Sequence, residues 1–481
     1  MIDIFFIVKL SHRIVGGVFG GIGSRMAIFM AVLMTCLVVQ GCSVVDQVGG
    51  DFHKSPTKAL SPEAQALVDR AFKGVRAGDL RDFHTHLIGL GSARCDTGVN
   101  PKMLTWIHPL KRIEALVYLS AAGVENEQDV DAEYLARLVA LIKAMPKRGK
   151  FHLLAIDWHY DAQHRRSAEK TTFFVANECV VELANDPRYR GLFVPVISVH
   201  PYRADAVQIL ERWAKKGVRY VKWLPNAQGM DAGDPAIDDY YKTMIRNNLI
   251  LLTHVGEEKA VDADEDQALG NPLCFRRPLD MGVKVVMAHS GSLGKSVDID
   301  SPGSAKREWN FELFVRLMRE ERYRKNLFGE ISAMTQHNRL TERPKEDAPL
   351  VQLLRHADLR GMLETRFVNG SDYPLPAINI LVRTRTLVGM GMLTPQERTA
   401  LNEIYRRNPL EYDFVVKRTL RWPSAEETPD DKAHPRARAI RLPDGLFRIP
   451  PGLEKPYPAD LIGQLDDPKF IDGLSKIRCR R

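Results

Sequence analysis

Short apolar runs alternate with longer segments of helical periodicity along most of the chain, from about residue 82 to residue 405. Eight of these runs are rich in Val, Ile, Leu and Phe and have the length of strands, whereas the segments between them repeat apolar residues at helical spacing. This alternation is typical of βα units, and eight such units close a parallel barrel. The predicted strands are 82–87, 151–158, 193–200, 218–224, 250–255, 283–289, 327–332 and 367–372.

The helices predicted between and around these strands complete an α/β chain of the (β/α)8 TIM-barrel type over residues 81–420. They cover residues 62–75, 133–145, 172–185, 204–216, 237–247, 310–321 and 377–388, with an inserted helical segment at 101–121. After the last strand, Thr394-Pro395 and an acidic first turn open a helix over 394–405, and another follows at 408–418.

The N-terminus has the pattern of an export signal. Residues 26–39 form an uninterrupted apolar run preceded by basic residues, and the run is shorter than the roughly 20 residues that span a bilayer. It ends in Val39-Gln40-Gly41-Cys42, which resembles the lipobox of bacterial lipoproteins, although Gln40 is unusual at its position. We therefore expect an export signal at 1–41, a lipidated Cys42, a linker at 42–80 and a protein anchored in the cell envelope, facing the periplasm or the outside. An uncleaved transmembrane anchor is the alternative.

The composition is that of a globular enzyme, with 44% hydrophobic and 27% charged residues. The net charge of +8 comes from 68 basic and 60 acidic residues spread along the chain, which argues against nucleic acid as a partner. Four cysteines beyond Cys42 are widely spaced, and their pairing is not readable from the sequence: Cys95, Cys179, Cys274 and Cys479. Residues 421–481 are rich in proline and charge, which predicts an irregular extension that wraps the barrel or docks a partner.

Polar residues gather at the carboxyl ends of the predicted strands, where barrel enzymes place their chemistry. His84 and His86 lie two apart in an extended strand, so both side chains leave the same face and can grip one ion. His254 and His289 each end another strand, and Asp372 ends the last. Imidazole and carboxylate groups suit a divalent metal, with zinc first and manganese or iron as alternatives.

The segments DFHTHL, VISVHPYR, GVRYVKWLP, LLTHVGEE, VVMAHSGS and FVNGSDYP, in this order, resemble the amidohydrolase superfamily, particularly the branch related to aminocarboxymuconate-semialdehyde decarboxylase. The resemblance covers roughly residues 81–414. It implies a mononuclear site in which His84, His86, His254 and Asp372 hold the metal. It also implies that His289 contacts the substrate or its water, and that Asp372 serves as general base.

Two further residues enter the predicted site. Lys222 corresponds to the carboxylated lysine that bridges two ions in binuclear members of the superfamily. The alternative is a substrate-binding lysine that hydrogen-bonds a neighbouring carboxylate or an anionic substrate near a single ion, and one ion is favoured over two. Arg203 is predicted to anchor a substrate carboxylate through its planar guanidinium, against the alternative of a surface arginine at a helix start. His200 either touches the substrate or is a buried structural histidine. Glu257, Glu258 and Glu330 could orient a ligand but stay outside the predicted catalytic set.

Three functions fit these residues. The first is a metal-dependent hydrolase that cleaves a C–N or C–O bond of a small molecule, such as an amide or a lactone, through metal-activated water. The second is a non-oxidative decarboxylase of a small carboxylate that uses the same metal. The third is a lipoprotein that binds a ligand without catalysis. The sequence leaves the substrate and the oligomeric state open.

Overall fold

Eight parallel strands, β1 to β8, form one sheet whose strand order is the same as their order along the chain. The computed structural model describes residues 49–50, 52, 55–91, 95–161, 163–301, 306–422 and 440–479. The strands consist mainly of apolar residues because both faces of a barrel wall are buried, one against helices and one against the interior. They span Arg81–His86, Lys150–Leu154, Phe193–Ile197, Tyr220–Trp223, Ile250–His254, Val285–Ala288, Leu327–Glu330 and Phe367–Val368.

The sheet closes on itself between β1 and the chain just after β8. The backbone N–H of Phe83 donates to the carbonyl of Asn369 at 2.9 Å, and that of His86 donates to the carbonyl of Tyr373 at 2.9 Å. In return, the N–H of Asp372 donates to the carbonyl of His84 at 2.7 Å. The predicted eight-stranded TIM barrel is therefore confirmed.

The described helices, α1 to α17, include one after nearly every strand and several additions. Turns of 3₁₀ helix and four two-stranded ribbons complete the connections. The helices span Pro62–Phe72, Pro109–Ala122, Val130–Ala144, Asn177–Asn185, Ala206–Lys215, Pro225–Gln228, Asp238–Arg246, Arg276–Asp280, Asn310–Arg319, His337–Thr341, Pro349–Arg355, Ala357–Thr365, Thr384–Gly389, Pro395–Arg407, Pro409–Thr419, Ala459–Gln464 and Pro468–Asp472.

Two helix predictions are wrong in part. Phe173–Val175 is a strand that pairs with Thr97–Val99, so the helix expected from residue 172 begins only at Asn177. The helix expected at 377–388 is also mostly absent from the structure. Only its C-terminal part is helical, as α13 (Thr384–Gly389). In both places apolar residues line the cavity at the mouth of the barrel instead of facing a helix neighbour.

The C-terminal extension wraps under the barrel. Leu453 is fully buried and packs with interior residues of the strands, among them Phe83 and Ile250, so it plugs the end opposite the polar strand ends. The Tyr220 hydroxyl donates to Glu454 at 2.6 Å, and Lys284 Nζ donates to the Leu453 carbonyl at 3.1 Å. Of the two predicted roles of the extension, wrapping the barrel is therefore the one that residues 440–479 show, and docking of a partner stays a prediction.

Two disulfides staple the outer parts of the fold. One joins Cys95, next to the ribbon strand Thr97–Val99, to Cys179 in α4, and the other joins Cys274 to Cys479 near the end of the extension. Helix α1, within the predicted linker, also docks: Leu67 and Val68 are buried. The described residues contain no helix long and apolar enough to cross a membrane. The predicted export signal and Cys42 lie outside the described residues.

Candidate metal centre

The predicted polar residues come together at the carboxyl ends of the barrel strands. His84 and His86 project from β1, and His254 ends β5. His289 directly follows β6, and Asp372 lies four residues after β8. All five side chains are buried except that of His86, which is 16% exposed. Sequence positions nearly 300 residues apart therefore meet in one cluster because parallel strands end at the same rim.

Nitrogen and oxygen atoms of three residues converge on one point. Nε2 of His84 lies 3.2 Å from Nε2 of His86, and Oδ1 of Asp372 lies 3.4 Å from the first and 3.3 Å from the second. Two further atoms in the cluster, Nε2 of His254 and Oδ2 of Asp372, are buried and have no hydrogen-bond partner among the described residues. Buried polar atoms without partners are costly, so this arrangement indicates a missing ligand.

Glu330, at the end of β7, holds the rest of the cluster in place. Its Oε2 lies 3.2 Å from Nδ1 of His84, accepts from the backbone N–H of His289 at 3.2 Å, and accepts from the Ser332 hydroxyl at 2.6 Å. Ser332 Oγ in turn lies 2.7 Å from Nδ1 of His289. When Nδ1–H of each histidine donates, the lone pair of each is on Nε2.

The buried histidines are held neutral. Burial lowers the pKa of His84, His254 and His289 well below the usual value, and the positive charge of Lys222 adds to the effect at each. Nδ1 of His254 lies 3.4 Å from Oε2 of Glu258, which orients this ring as Glu330 orients His84. Neutral, oriented imidazoles are the form in which histidine binds metal ions.

The backbone at the rim is strained where two of these residues leave their strands. His289, Ser290 and Asp372 have φ values of 56°, 49° and 63°, in the left-handed region that non-glycine residues rarely adopt. Such conformations cost on the order of 1–3 kcal/mol each and persist where the surrounding structure enforces them. Here they turn His289 and Asp372 towards the cluster.

A cavity of about 450 Å³ opens above the cluster. The histidines, Lys222 and Asp372 form its floor. Its walls are mostly apolar and come from the inserted segment after β1, the ribbon strand before α4 and the segment after β8. They include Met103, Leu119, Phe173, Ile378 and Leu381. This is the shape and chemistry of a site for a small molecule with an apolar body.

Arg339 supplies a cation in the cavity wall that the sequence did not reveal. It lies on α10, is 7% exposed, and donates from Nη1 to Ser292 Oγ at 2.7 Å, while its buried Nε has no partner among the described residues. Burial lowers its pKa, and the nearby carboxylates of Asp372 and Glu258 oppose that shift. Only the tertiary structure brings this arginine, nine residues beyond β7, into the cavity.

Residues 82–387 match the amidohydrolase family over more than half of the chain. The chain belongs to this family. Structural similarity extends to a candidate 2-pyrone-4,6-dicarboxylic acid hydrolase from Pseudomonas putida, 15% identical, with a TM-score of 0.36 over 70% of this chain and 98% of that chain. It also extends to a 5-carboxyvanillate decarboxylase from Sphingomonas paucimobilis, 12% identical, with a TM-score of 0.32 over 68% of this chain and 98% of that chain. Both scores are too low to indicate function, and no match is found among the curated proteins.

The predicted ligand set fits the divalent ion that amidohydrolases bind. His84, His86 and Asp372 are close enough to hold one ion together, and His254 lines the same cavity with an unpartnered Nε2. A second group of close atoms, from His84, His289 and Glu330, is less suited because Glu330 is already engaged as an acceptor of several hydrogen bonds.

Lys222 lies inside the amidohydrolase site, as predicted for the end of β4. It is 1% exposed, and Nζ is 3.3 Å from Nε2 of His84. Burial lowers its pKa to about 8, against the opposing effect of the Asp372, Glu330 and Glu258 carboxylates. The geometry is compatible with both predicted roles, a bridging ligand or a hydrogen-bonding lysine.

Arg203 and His200 lie apart from the cluster. Arg203 does not line the cavity; Nη1 is 3.3 Å from Asp157, and Nε donates to Asp205 at 2.9 Å. Its role as a carboxylate anchor stays a prediction, without support from its position. His200 is fully buried, with Nε2 2.8 Å from the Gln228 carbonyl and Nδ1 accepting from the Tyr202 N–H at 3.1 Å. These contacts are those of a structural histidine.

Proposed function

We propose that this amidohydrolase is a metal-dependent hydrolase that cleaves a C–N or C–O bond, as in an amide or lactone, of a small molecule with an apolar body. The observation that carries the proposal is the convergence of His84, His86 and Asp372 beneath a mostly apolar cavity, which His254 also lines with its unpartnered Nε2. Zinc is the ion proposed first and manganese second, in one copy.

A divalent ion at this position would supply Lewis acidity towards water and the substrate carbonyl. Asp372 directs Oδ1 at the histidines, and its Oδ2 has no partner among the described residues, so Oδ2 can take a proton from water. His289 donates Nδ1–H to Ser332, which leaves the lone pair of Nε2 to accept a hydrogen bond from the reacting group. Arg339 can bind an anionic substituent of the substrate.

Decarboxylation of a small carboxylate is the second candidate, and Arg339 is the observation that favours it. A buried guanidinium with a free Nε, in the wall above the cluster, is suited to hold a carboxylate near the metal ligands. A hydrolase needs an attacking water and a base, whereas a decarboxylase needs the carboxylate itself positioned over the ion. The same residues can serve both reactions, so hydrolysis and decarboxylation must be distinguished by analysing the reaction products.

The test begins with elemental analysis of the purified protein, which we expect to contain about one equivalent of zinc or manganese. Lactones, amides and aromatic carboxylates are then screened in H₂¹⁸O. Hydrolysis places ¹⁸O in the organic product, whereas decarboxylation releases CO₂ and leaves the organic product without the label. Asp372→Asn should lower kcat by about 10²–10⁴-fold.

His254→Ala should lose metal and activity together, and His356→Ala is the matched control because His356 is exposed and lies on the surface. Metal retained at full occupancy in the His254 variant would show that the ligand set is wrong. Release of CO₂ together with an organic product that carries no ¹⁸O would replace hydrolysis by decarboxylation.

We also propose that the protein is exported and held in the cell envelope by a lipid on Cys42. Two disulfides in the folded body support this location, because disulfides persist in oxidising compartments. Cys42→Ser should move the protein from the membrane fraction to the soluble fraction. Unchanged fractionation of that variant would contradict lipid anchoring.

A further inference from the structure

We propose that the apolar rim, defined as Leu104, Trp106 and Ile107, rests on the surface of the bilayer and turns the mouth of the cavity towards the membrane. The proposal rests on the envelope attachment proposed above, and it does not depend on which reaction the site performs. The partner is a lipid surface, and the described residues leave these three side chains exposed.

The rim is unusually exposed for apolar side chains. Leu104, Trp106 and Ile107 are 47%, 50% and 84% exposed, and they are three of the five large hydrophobic residues that stand out as exposed in the described chain. The other two, Val297 and Ile462, lie singly elsewhere. A local cluster of this kind, unlike scattered apolar residues, marks an interaction site.

The rim lies at the mouth of the cavity. Met103 and Leu104 both line the cavity, and Leu104 also reaches solvent, so the chain passes from the apolar cavity wall to the exposed Trp106 and Ile107 within three residues. The Arg112 guanidinium sits 5.7 Å from the centre of the Trp106 ring. Tryptophan with a polar neighbour is the residue that proteins favour at the level of lipid headgroups.

The chain leading to the predicted anchor arrives at this end of the barrel. The Gly49 carbonyl accepts from the N–H of Asn379, in the segment after β8, and Gly49 lies against Ser120 near the end of α2. Helix α2 (Pro109–Ala122) begins at the rim and spans about 20 Å. Cys42 precedes Gly49 by seven residues, which reach at most about 25 Å. This reach exceeds the length of α2, so a lipid on Cys42 can lie at the level of the rim.

Charges around the rim are paired with each other. Lys102 contacts Glu169 at 3.3 Å, and Lys111 contacts Glu114 at 3.1 Å. Arg112 contacts Glu127 at 2.6 Å. Each of these three cations is thus paired with a carboxylate. The rim is therefore expected to bind the membrane by burying its apolar side chains in the lipid interface, an interaction that salt does not screen. Zwitterionic lipid should suffice.

The experiment uses the lipidated protein that begins at Cys42, with Ile107→Cys, labelled with a polarity-sensitive fluorophore and reconstituted into phosphatidylcholine vesicles with brominated acyl chains. Cys42 then carries the lipid and the other cysteines form the two disulfides, so the introduced thiol takes the label. Ile462→Cys is the matched control, because Ile462 is an exposed isoleucine whose neighbour Leu461 packs on Gly282, at the opposite end of the barrel. We expect the probe at 107 to shift to the blue and be quenched at both low and high salt. The probe at 462 should show neither change.

Other occupants give other results. A probe at 107 that shifts to the blue without quenching would be covered by protein, such as a second copy of the chain, and this would overturn the proposal. Equal quenching at 107 and 462, or quenching at neither, would show that the rim does not face the bilayer. Lipid attachment through Cys42 would then remain as proposed. A chain that fails to float with the vesicles would overturn the anchor and the orientation together, and leave the metal-site proposal untouched.

Discussion

Glu330 shows how much of this site depends on single side chains that bind no substrate. It orients His84, contacts the backbone of His289 and accepts from Ser332, so three parts of the site share one carboxylate. Burial raises its pKa to about 7, although its hydrogen bonds oppose this. The sequence placed Glu330 in the seventh strand but could not show these contacts, because they cross between β1, β6 and β7.

Arg339→Met should raise KM for carboxylated substrates by about 10–150-fold, the worth of a hydrogen bond to a charged group, and leave neutral substrates nearly unchanged. The reason is that Arg339 is the buried guanidinium in the cavity wall. Steady-state kinetics with paired neutral and anionic substrates measure the difference. Arg203→Met is the control, because the sequence predicts Arg203 as the residue that binds the substrate carboxylate. If only the Arg203 variant raises KM for anionic substrates, Arg203 and not Arg339 binds that carboxylate.

His152 should make the protein sensitive to mild acid. It stacks on Phe83 inside the barrel at 4.1 Å, its Nδ1 contacts the Asp82 carbonyl, and burial lowers its pKa from 6.5 to about 3. Between these values the unfolded chain binds a proton that the folded chain does not. The contribution of neutral His152 to the free energy of unfolding is therefore fully present above pH 6.5. As the pH falls below 6.5, the free energy of unfolding decreases by about 1.4 kcal/mol per pH unit.

His152→Asn removes this titration and keeps an N–H donor for the Asp82 carbonyl. Urea unfolding between pH 7 and pH 4 should show a shallower loss of stability in this variant than in the wild type. His356→Asn, at an exposed position, should leave the slope as it is. If the free energy of unfolding fell equally with pH in the wild type and in His152→Asn, His152 would not be the group responsible for the acid sensitivity.

At the scale of elements, the sequence predicted the existence of all eight strands and misplaced several ends. The predicted strand 151–158 ends at Leu154, and the predicted strand 193–200 ends at Ile197. The residues beyond these ends leave the sheet to shape the rim, although they continue the apolar run. Local pattern cannot distinguish an apolar residue in the sheet ladder from one in the loop that follows it.

Helix α14 (Pro395–Arg407) was predictable because its start signal is local. Thr394 Oγ1 accepts from the N–H of Glu397 at 3.1 Å, and the Glu397 carboxylate accepts from the N–H of Thr394 at 2.8 Å. Thr394→Ala should lower the free energy of unfolding by about 0.5–2 kcal/mol, measured as a lower urea midpoint. Thr399→Ala, in the same helix and exposed, should change the midpoint less; an equal loss in both variants would deny the cap its role.

At the scale of the whole molecule, the extension makes the barrel complete. Its Leu453 fills the interior from below, and Tyr457 connects β5 and β6 by accepting from the N–H of Lys284 and donating to the Leu249 carbonyl, both at 2.8 Å. The disulfide between Cys274 and Cys479 then fixes the far end of the extension. A segment with almost no regular structure thus belongs to the core.

Leu453→Ala should lower the free energy of unfolding by about 2–5 kcal/mol, because it leaves a cavity in a fully buried position. Metal content and kcat should stay at the wild-type level, since the plug lies at the end opposite the metal centre. Ile462→Ala, a half-exposed position in the same extension, should cost less. A drop in kcat with unchanged stability in the Leu453 variant would show that the plug acts on the site instead.

The sequence by itself determined the barrel, because the alternation of buried strands and amphipathic helices is a local pattern repeated eight times. It also predicted that His84, His86, His254, His289 and Asp372 lie together, since each is at or just beyond a strand end and parallel strands end at one rim. Only the tertiary structure decided the rest: Glu330 as organiser, Arg339 in the cavity, the disulfide pairs and the plug at Leu453. These depend on contacts between residues far apart in sequence, and no local pattern encodes which distant partner a side chain meets.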